Sequence, residues 1–396
     1  MIVQEFLPPQ RLLLGPGPSQ VHPRVLQAMA VPLVGHLDPT FLGVMNDVQT
    51  LLRQTFATAN RFTIAVSGTG SAGMEAAIVN LVEPGDAVIV GVNGLFGMRL
   101  ATVVERCGGK AIRIEAPWGE IIEPEAIEKA FRRSGPVKAV ALVHAETSTG
   151  AWQPIEPVGR LCRDHNAFMI VDAVTSLGGV PVEVDRWGID ACYSATQKCL
   201  SCPPGLSPFT LSDRALTSIK NRRTPCQSWY LDMSLIADYW TEQNRAYHHT
   251  APISMLYALR EALRLVEEEG LPARCARHQL NGEALTAGLE ALGLIPLPQP
   301  GRRLPSLTCV SVPVHIDEAA VRSQLLQRFG IEIGGGLGPL KGKVWRIGLM
   351  GESSTEGNVL TLLNALEDLG IRSGWISTPG AALQAAARVY SATGRS

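Results

Sequence analysis

The sequence is short of several things, and each shortage narrows what the protein does. No apolar run approaches the roughly 20 residues of a membrane-spanning helix. Formal net charge is −1, from 35 basic and 36 acidic residues, so there is no basic surplus for nucleic acid or another polyanion. The opening stretch, MIVQEFLPPQR, lacks a basic segment followed by an apolar core and does not read as a secretory signal. The closing TGRS is not the S-K-L peroxisomal address. A cytoplasmic location is the expectation. Eight cysteines in 396 residues are too sparse for a disulfide framework. Cys199 and Cys202 form a C-x-x-C, but no second pair follows, and the motif runs into Pro203-Pro204-Gly205 instead of opening a helix. Buried thiols are the reading for both, and no metal site is expected. Internal repeats and low-complexity segments are missing too.

What is present is an ordinary globular composition, 46% apolar and 18% charged, in a chain long enough for two domains. Strand-like apolar runs appear at 62–66, 87–92, 111–116, 139–145, 167–173, 191–195 and 208–212. Amphipathic helical patterns separate most of them, as at 94–108, 123–133 and 158–166. This alternation predicts an α/β fold, a mostly parallel seven-stranded sheet covered on both faces. Residues 228–250 are aromatic and polar without a clean period. Helical patterns follow at 252–269 and 274–292, then strand, helix, strand and helix at 307–313, 317–330, 343–349 and about 356–369. The expected division is an N-terminal segment (1–20), a large α/β domain (21–255) and a smaller C-terminal α+β domain (256–396).

Residues 66–77 read VSGTGSAGMEAA, and Gly68, Gly70 and Gly73 fit the G-x-G-x-x-G of a dinucleotide-binding turn. That reading also needs an acid at the end of the next strand, to hold the ribose. VGVNGLFG (90–97) has none, and Asp86 lies at the strand's other end. The helix start itself remains. Its free N–H groups and dipole favour an anion at Thr69, Gly70 and Ser71, and the two hydroxyls add donors. A plain N-cap on Ser71 is the competing structural reading. Two further strand ends carry chemistry. Asp172 closes the apolar run AFMIVDA, where a carboxylate is costly unless paired. Lys198 follows the apolar run ACYSA, one strand–helix–strand step later. A phosphate cradle, a buried acid and a strand-end lysine together point to pyridoxal 5'-phosphate (PLP). The lysine forms the Schiff base, and the acid keeps the pyridine nitrogen protonated so that the ring draws electrons.

At these residues the chain resembles the class V (fold type I) PLP-dependent aminotransferases, specifically the alanine–glyoxylate / serine–pyruvate aminotransferase family. The likeness is carried by LLLGPGPS (12–19), VSGTGSAGMEAA (66–77), HAETSTG (144–150), VDAVTSLGG (171–179), SATQKCLSCPPG (194–205), YHHTAP (247–252) and GKVWRIGLMG (342–351), in the family's order. The resemblance implies ping-pong transfer of an amino group from a small amino acid, alanine or serine, to glyoxylate or pyruvate. It implies Lys198 as Schiff-base lysine and proton shuttle, and Asp172 as partner of the pyridine nitrogen. Thr69, Gly70 and Ser71 would hold the phosphate, with Gln197 adding a contact. Thr147 would bond the ring's phenolic oxygen, and Phe96 would stack on the ring. Arg346 would clamp the substrate α-carboxylate. Tyr247 and Thr250 would reach the phosphate of the neighbouring subunit in a homodimer. Phe96 stands where other members carry tryptophan, and Ser71 where they carry histidine; each keeps the job.

Arg346 also has support from its own surroundings. It lies in an apolar strand, where an unpaired guanidinium is expensive, and a bound carboxylate or a structural salt bridge would answer it. Two alternatives have weaker footing. A class V lyase of the cysteine desulfurase kind needs a nucleophilic cysteine on a mobile C-terminal loop, whereas Cys309 sits inside the strand-like LTCVSV. A non-catalytic PLP-binding regulatory protein could do without the lysine or the carboxylate clamp; Lys198 and Arg346 are both present.

Overall fold

Runs such as AVIVGV carry no polar alternation, so they settle where both faces of a sheet are covered. The computed structural model describes residues 5–241 and 245–393. In chain order it gives β1 (Leu12–Leu13), α1 (Pro23–Met29), α2 (Pro39–Thr55), β2 (Phe62–Ser67), α3 (Gly70–Leu81), β3 (Ala87–Val92), α4 (Leu95–Arg106), β4 (Lys110–Glu115), α5 (Pro124–Arg133) and β5 (Val137–Val143). Next come β6 (Ala145–Glu146), β7 (Ala151–Trp152), α6 (Glu156–Asp164), β8 (Phe168–Asp172), α7 (Val184–Trp187), β9 (Ala191–Tyr193), β10 (Leu206–Leu211), α8 (Asp213–Lys220) and α9 (Met233–Trp240). The last third holds α10 (Ile253–Glu269), α11 (Leu271–Ala291), β11 (Ile295–Pro296), β12 (Leu307–Ser311), α12 (Glu318–Phe329), β13 (Ile331–Glu332), β14 (Gly334–Gly335), β15 (Val344–Gly348), α13 (Glu356–Arg372) and α14 (Ala381–Thr393).

The seven predicted runs form one sheet, in the order β2-β10-β9-β8-β5-β3-β4. Only β10 runs antiparallel to its neighbours. Its run looks like the others; its direction follows from the connection after β9, which contains no crossover helix to return the chain in parallel. α3 rests directly on this sheet. A Cβ at Gly73 would lie 2.1 Å from Ser207 Oγ and 2.9 Å from Tyr193 Cβ, so only glycine permits the approach. Two helices, α1 and α2, occupy a stretch that no pattern assigned, and α9 lies inside the aperiodic 228–250 segment.

A second, antiparallel sheet, β11-β12-β15-β14, packs with α11, α12 and α13 around its own apolar cluster, which includes Trp345, Leu285, Leu325 and Leu366. The apolar face of α10, through Leu256, Leu259, Leu263 and Val266, joins the larger cluster under the first sheet. The N-terminal β1 pairs in parallel with β13, Leu12 opposite Ile331, and Leu14 joins the smaller cluster. The chain then crosses to the large sheet through Gly15–Ser19. No helix among the described residues is long and apolar enough to cross a membrane.

Candidate active site

In a parallel sheet the strand carboxyl ends share one edge, and ligands bind outside it. Thr69–Ser71 follow β2, Phe96 opens α4 after β3, Thr147 follows β5, Asp172 ends β8, and Gln197 and Lys198 follow β9. The topology therefore brings these residues to one edge. Gly68, at φ 131°, makes the sharp turn from β2 into α3. The helix begins earlier than a cap on Ser71 would allow. Thr69 is the N-cap, and its side chain makes no capping bond. The first turn of α3 and the hydroxyls of Thr69 and Ser71 are thus available to an anion; Ser71 Oγ takes only a long 3.5 Å contact from Arg99 Nη1.

Asp172 is buried at 2% exposure. Val174 N–H donates to Oδ1 at 2.9 Å, and Tyr193 Oη–H donates to Oδ2 at 2.8 Å. Burial pushes its carboxyl up to about 6, against both hydrogen bonds. A protonated ring nitrogen is a partner suited to such a carboxylate. Lys198 turns its amine inward, where Nζ donates to the carbonyl of Pro16. Burial first, then the Arg346 charge, pull the amine down to about 8. Its backbone is held as well: Ser19 Oγ donates to Lys198 O at 2.7 Å, and Ser19 N–H to Gln197 O at 2.9 Å. A Cβ on Gly17 would come within 2.8 Å of Nζ, so the strap over the lysine is glycine where it passes closest. Gln197 Oε1 is a buried acceptor without a protein partner.

Arg346 reaches this edge from β15. Its Nε donates to Gly335 O at 2.8 Å and its Nη1 to Thr147 O at 3.2 Å. Among the described residues no carboxylate lies within ion-pair distance of it, so the salt-bridge reading fails. Burial holds its guanidinium below the usual value. Thr147 Oγ1 sits 2.5 Å from Thr175 Oγ1. Phe96 is half-buried, with the Arg99 guanidinium 5.0 Å from its ring centre. Tyr247 and Thr250 are not gathered here. Tyr247 is 62% exposed, with its ring 5.4 Å from that of His36, and Thr250 is exposed.

The sequence reading missed Tyr193, Ser19, the Pro16 carbonyl, Arg99 and Glu146. Tyr193 pairs with Asp172 across β8 and β9, a register neighbour that adjacent strand ends could have revealed. The cysteines are inert by environment. Cys199 and Cys202 are buried, and burial raises the Cys199 thiol to about 11. Cys309 lies inside β12, its thiol raised to about 12, which leaves a desulfurase no nucleophile there.

An uncapped helix start, an amine near 8 and a buried acid at one sheet edge fit PLP. Fold and chemistry define a fold type I PLP-dependent enzyme. The family model described as Aminotransferase class-V matches residues 11–344. A crystal structure of alanine–glyoxylate aminotransferase from Nostoc sp. superposes with a TM-score of 0.91 at 52% identity, covering 93% of this chain and 97% of that one. The (S)-ureidoglycine–glyoxylate transaminase of Bacillus subtilis (strain 168) is 43% identical over 99% of this chain and 98% of its own. The alanine–glyoxylate aminotransferase of Callithrix jacchus is 41% identical over 91% of this chain and 87% of its own. The chain belongs to the class V aminotransferases, and it is a PLP-dependent aminotransferase.

Proposed function

We propose that this aminotransferase moves an amino group from a small amino acid, alanine or serine, to glyoxylate or pyruvate. The carrying observation is Arg346, a buried guanidinium anchored only on two carbonyls, with its remaining N–H groups free for a substrate carboxylate. Glyoxylate is the acceptor in the names of all three relatives just given.

When bound, PLP supplies an electron sink at the substrate α-carbon. Thr69, Gly70, Ser71 and Gln197 would hold its phosphate, Thr147 its phenolic oxygen, Phe96 its ring face, and Asp172 its pyridine nitrogen. Tyr193 and Val174 fix both oxygens of Asp172, so the carboxylate is aimed before anything binds. Lys198 Nζ, with its affinity for protons lowered by burial, moves the proton from the α-carbon. Arg346 sets the carboxylate, and with it the orientation of the bond that breaks.

Two coarser arrangements belong to the same reading. The first is a homodimer in which Tyr247 and Thr250 serve the partner's phosphate. Exposed apolar side chains support a second copy, among them Leu26, Leu33, Leu37, Trp229 and Tyr247. The second is the division into 1–20, 21–255 and 256–396, with α10 crossing it to pack on the large core. The deciding experiment incubates holoenzyme with glyoxylate and either alanine or serine, and measures glycine by chromatography. Glycine with at least one donor is expected. No glycine with either, while PLP stays bound, overturns glyoxylate as the acceptor.

A further inference from the structure

The helix that presents Phe96 has no cap of its own. The N-cap of α4 is Gly94, no side-chain bond is made from that position, and the first turn holds no acid. Its three leading N–H groups are taken from across the sheet edge. Leu95 N–H donates to Ser148 Oγ at 3.0 Å, and Phe96 and Gly97 N–H donate to Glu146 Oε2 at 3.1 and 3.3 Å. The other oxygen, Glu146 Oε1, accepts Ser148 N–H at 3.0 Å and Ser148 Oγ–H at 2.6 Å. Three of the four donors to Glu146 are backbone N–H groups, so both of its oxygens serve as acceptors.

Glu146 is wholly buried, and among the described residues no lysine or arginine lies within ion-pair distance of it. Burial pushes its carboxyl up, and the Ser148 and α4 hydrogen bonds oppose that. The end of the α4 dipole is its counter-charge. A serine or aspartate at position 94 would be the simpler cap, but there is no room for one. A Cβ on Gly94 would lie 2.4 Å from Glu146 Cδ and 2.5 Å from Ser148 Oγ. The start of α4 is also pressed on β3, since a Cβ on Gly97 would meet Gly91 O at 2.5 Å. The intervening residue, Thr147, shares a hydroxyl–hydroxyl hydrogen bond with Thr175, and its carbonyl accepts from Arg346.

On the site reading above, we infer that Glu146 is a positioning residue for the cofactor ring: it caps α4 from the facing turn and thereby sets the seat of Phe96. The same turn carries Thr147, whose carbonyl accepts from Arg346, while the effect of Glu146 on the cofactor runs through α4 and Phe96.

The test is a double-mutant cycle on PLP affinity, read together with the visible circular dichroism of the bound ring. Glu146→Gln keeps the shape but turns an amide N–H₂ toward one set of donors, leaving buried N–H groups unpaired. It is expected to weaken PLP on the order of tenfold and to lower the dichroism per bound cofactor. The double variant Phe96→Ala/Glu146→Gln is expected to bind within about twofold of Phe96→Ala alone, because the glutamate acts through the phenylalanine. Ser148→Ala, a smaller change, should shift affinity and dichroism in the same direction and serves if the glutamate variant does not fold. Wild-type affinity and dichroism in Glu146→Gln, even with a lower melting temperature, overturn the inference, as do losses that multiply. Unchanged affinity in Phe96→Ala removes the stacking reading itself, and the inference with it.

Discussion

The central sheet has two ends, and each gathers charged side chains at a concave surface. At the amino ends of its strands, Lys110, Lys138, Arg214 and Arg223 line a cavity of about 960 Å³. At the carboxyl ends stand Lys198, Asp172 and, from the smaller sheet, Arg346. The first end is strongly basic, yet most of its cations are occupied. Arg214 pairs with Asp190 at 2.5 Å, Arg223 with Glu83 at 3.6 Å, and Lys138 Nζ donates to Ser218 Oγ at 3.3 Å. The C-terminal ends of α4 and α5 face the same way, with Arg106, Arg132 and Arg133 in their last turns, the sign that helix carbonyls favour. The second end has helix N-termini, an amine lowered to about 8, an acid raised to about 6, and an arginine without a carboxylate. Charge alone does not distinguish a site here; groups left with unspent interactions do.

That contrast can be broken in four ways, from the largest effect down. Lys198→Ala should lower kcat by about 10³-fold or more while PLP still binds, since it removes the amine that moves the α-proton; steady-state kinetics on PLP-loaded protein decides it, and near-normal turnover would move catalysis elsewhere. The second is a pH effect on the apoprotein. Lys198 is lowered from 10.5 to about 8, so the unfolded chain binds a proton that the folded one does not between those values. The lysine's cost is complete below about 8 and disappears as pH rises toward 10.5. Lys198→Met should therefore stabilise the apoprotein at pH 7 by about 3 kcal/mol, with the gain gone near pH 11; urea melts across that range check the slope. Third, Arg346→Lys should lower kcat/KM on the order of 30-fold, because a point charge cannot replace a two-pronged contact. Unchanged kinetics would remove Arg346 from substrate binding. Last, Lys110→Ala and Lys138→Ala, at the opposite end, should alter stability by about 0.5 kcal/mol or less and leave transamination unchanged. A lost activity there would show that the amino-end cavity takes part.

The large sheet was legible because most of its strands are apolar runs and amphipathic helices separate most neighbours in sequence. The direction of β10 was not, since a buried strand reads alike both ways; only its helix-free connection discloses it. The site was legible where one residue type in one place is costly, as with Asp172 and Arg346 in apolar runs. It was illegible where the meaning lies in a partner far along the chain. Glu146 looks like a turn residue until Phe96 and Gly97 are found donating to it, and Pro16 looks like punctuation until Lys198 is found beneath it. The competing reading of Ser71 as an N-cap failed: Gly68 turns the chain sharply and α3 starts earlier, with Thr69 at its cap.

The pairing of β1 with β13 also sets a clock. Leu12 and Leu13 leave the ribosome first among the strands, and Ile331 and Glu332 follow only after most of the chain has been made, about half a minute later at ordinary rates of synthesis. The large sheet has all its strands by Leu211, well before that. The strap from Gly15 to Ser19, which gives Lys198 its carbonyl acceptor, has no anchor on its N-terminal side until the last third emerges. The nascent chain therefore carries a nearly finished scaffold with its reactive amine still loosely held. Emergence of the last third, and not formation of the main sheet, is the event that anchors the strap.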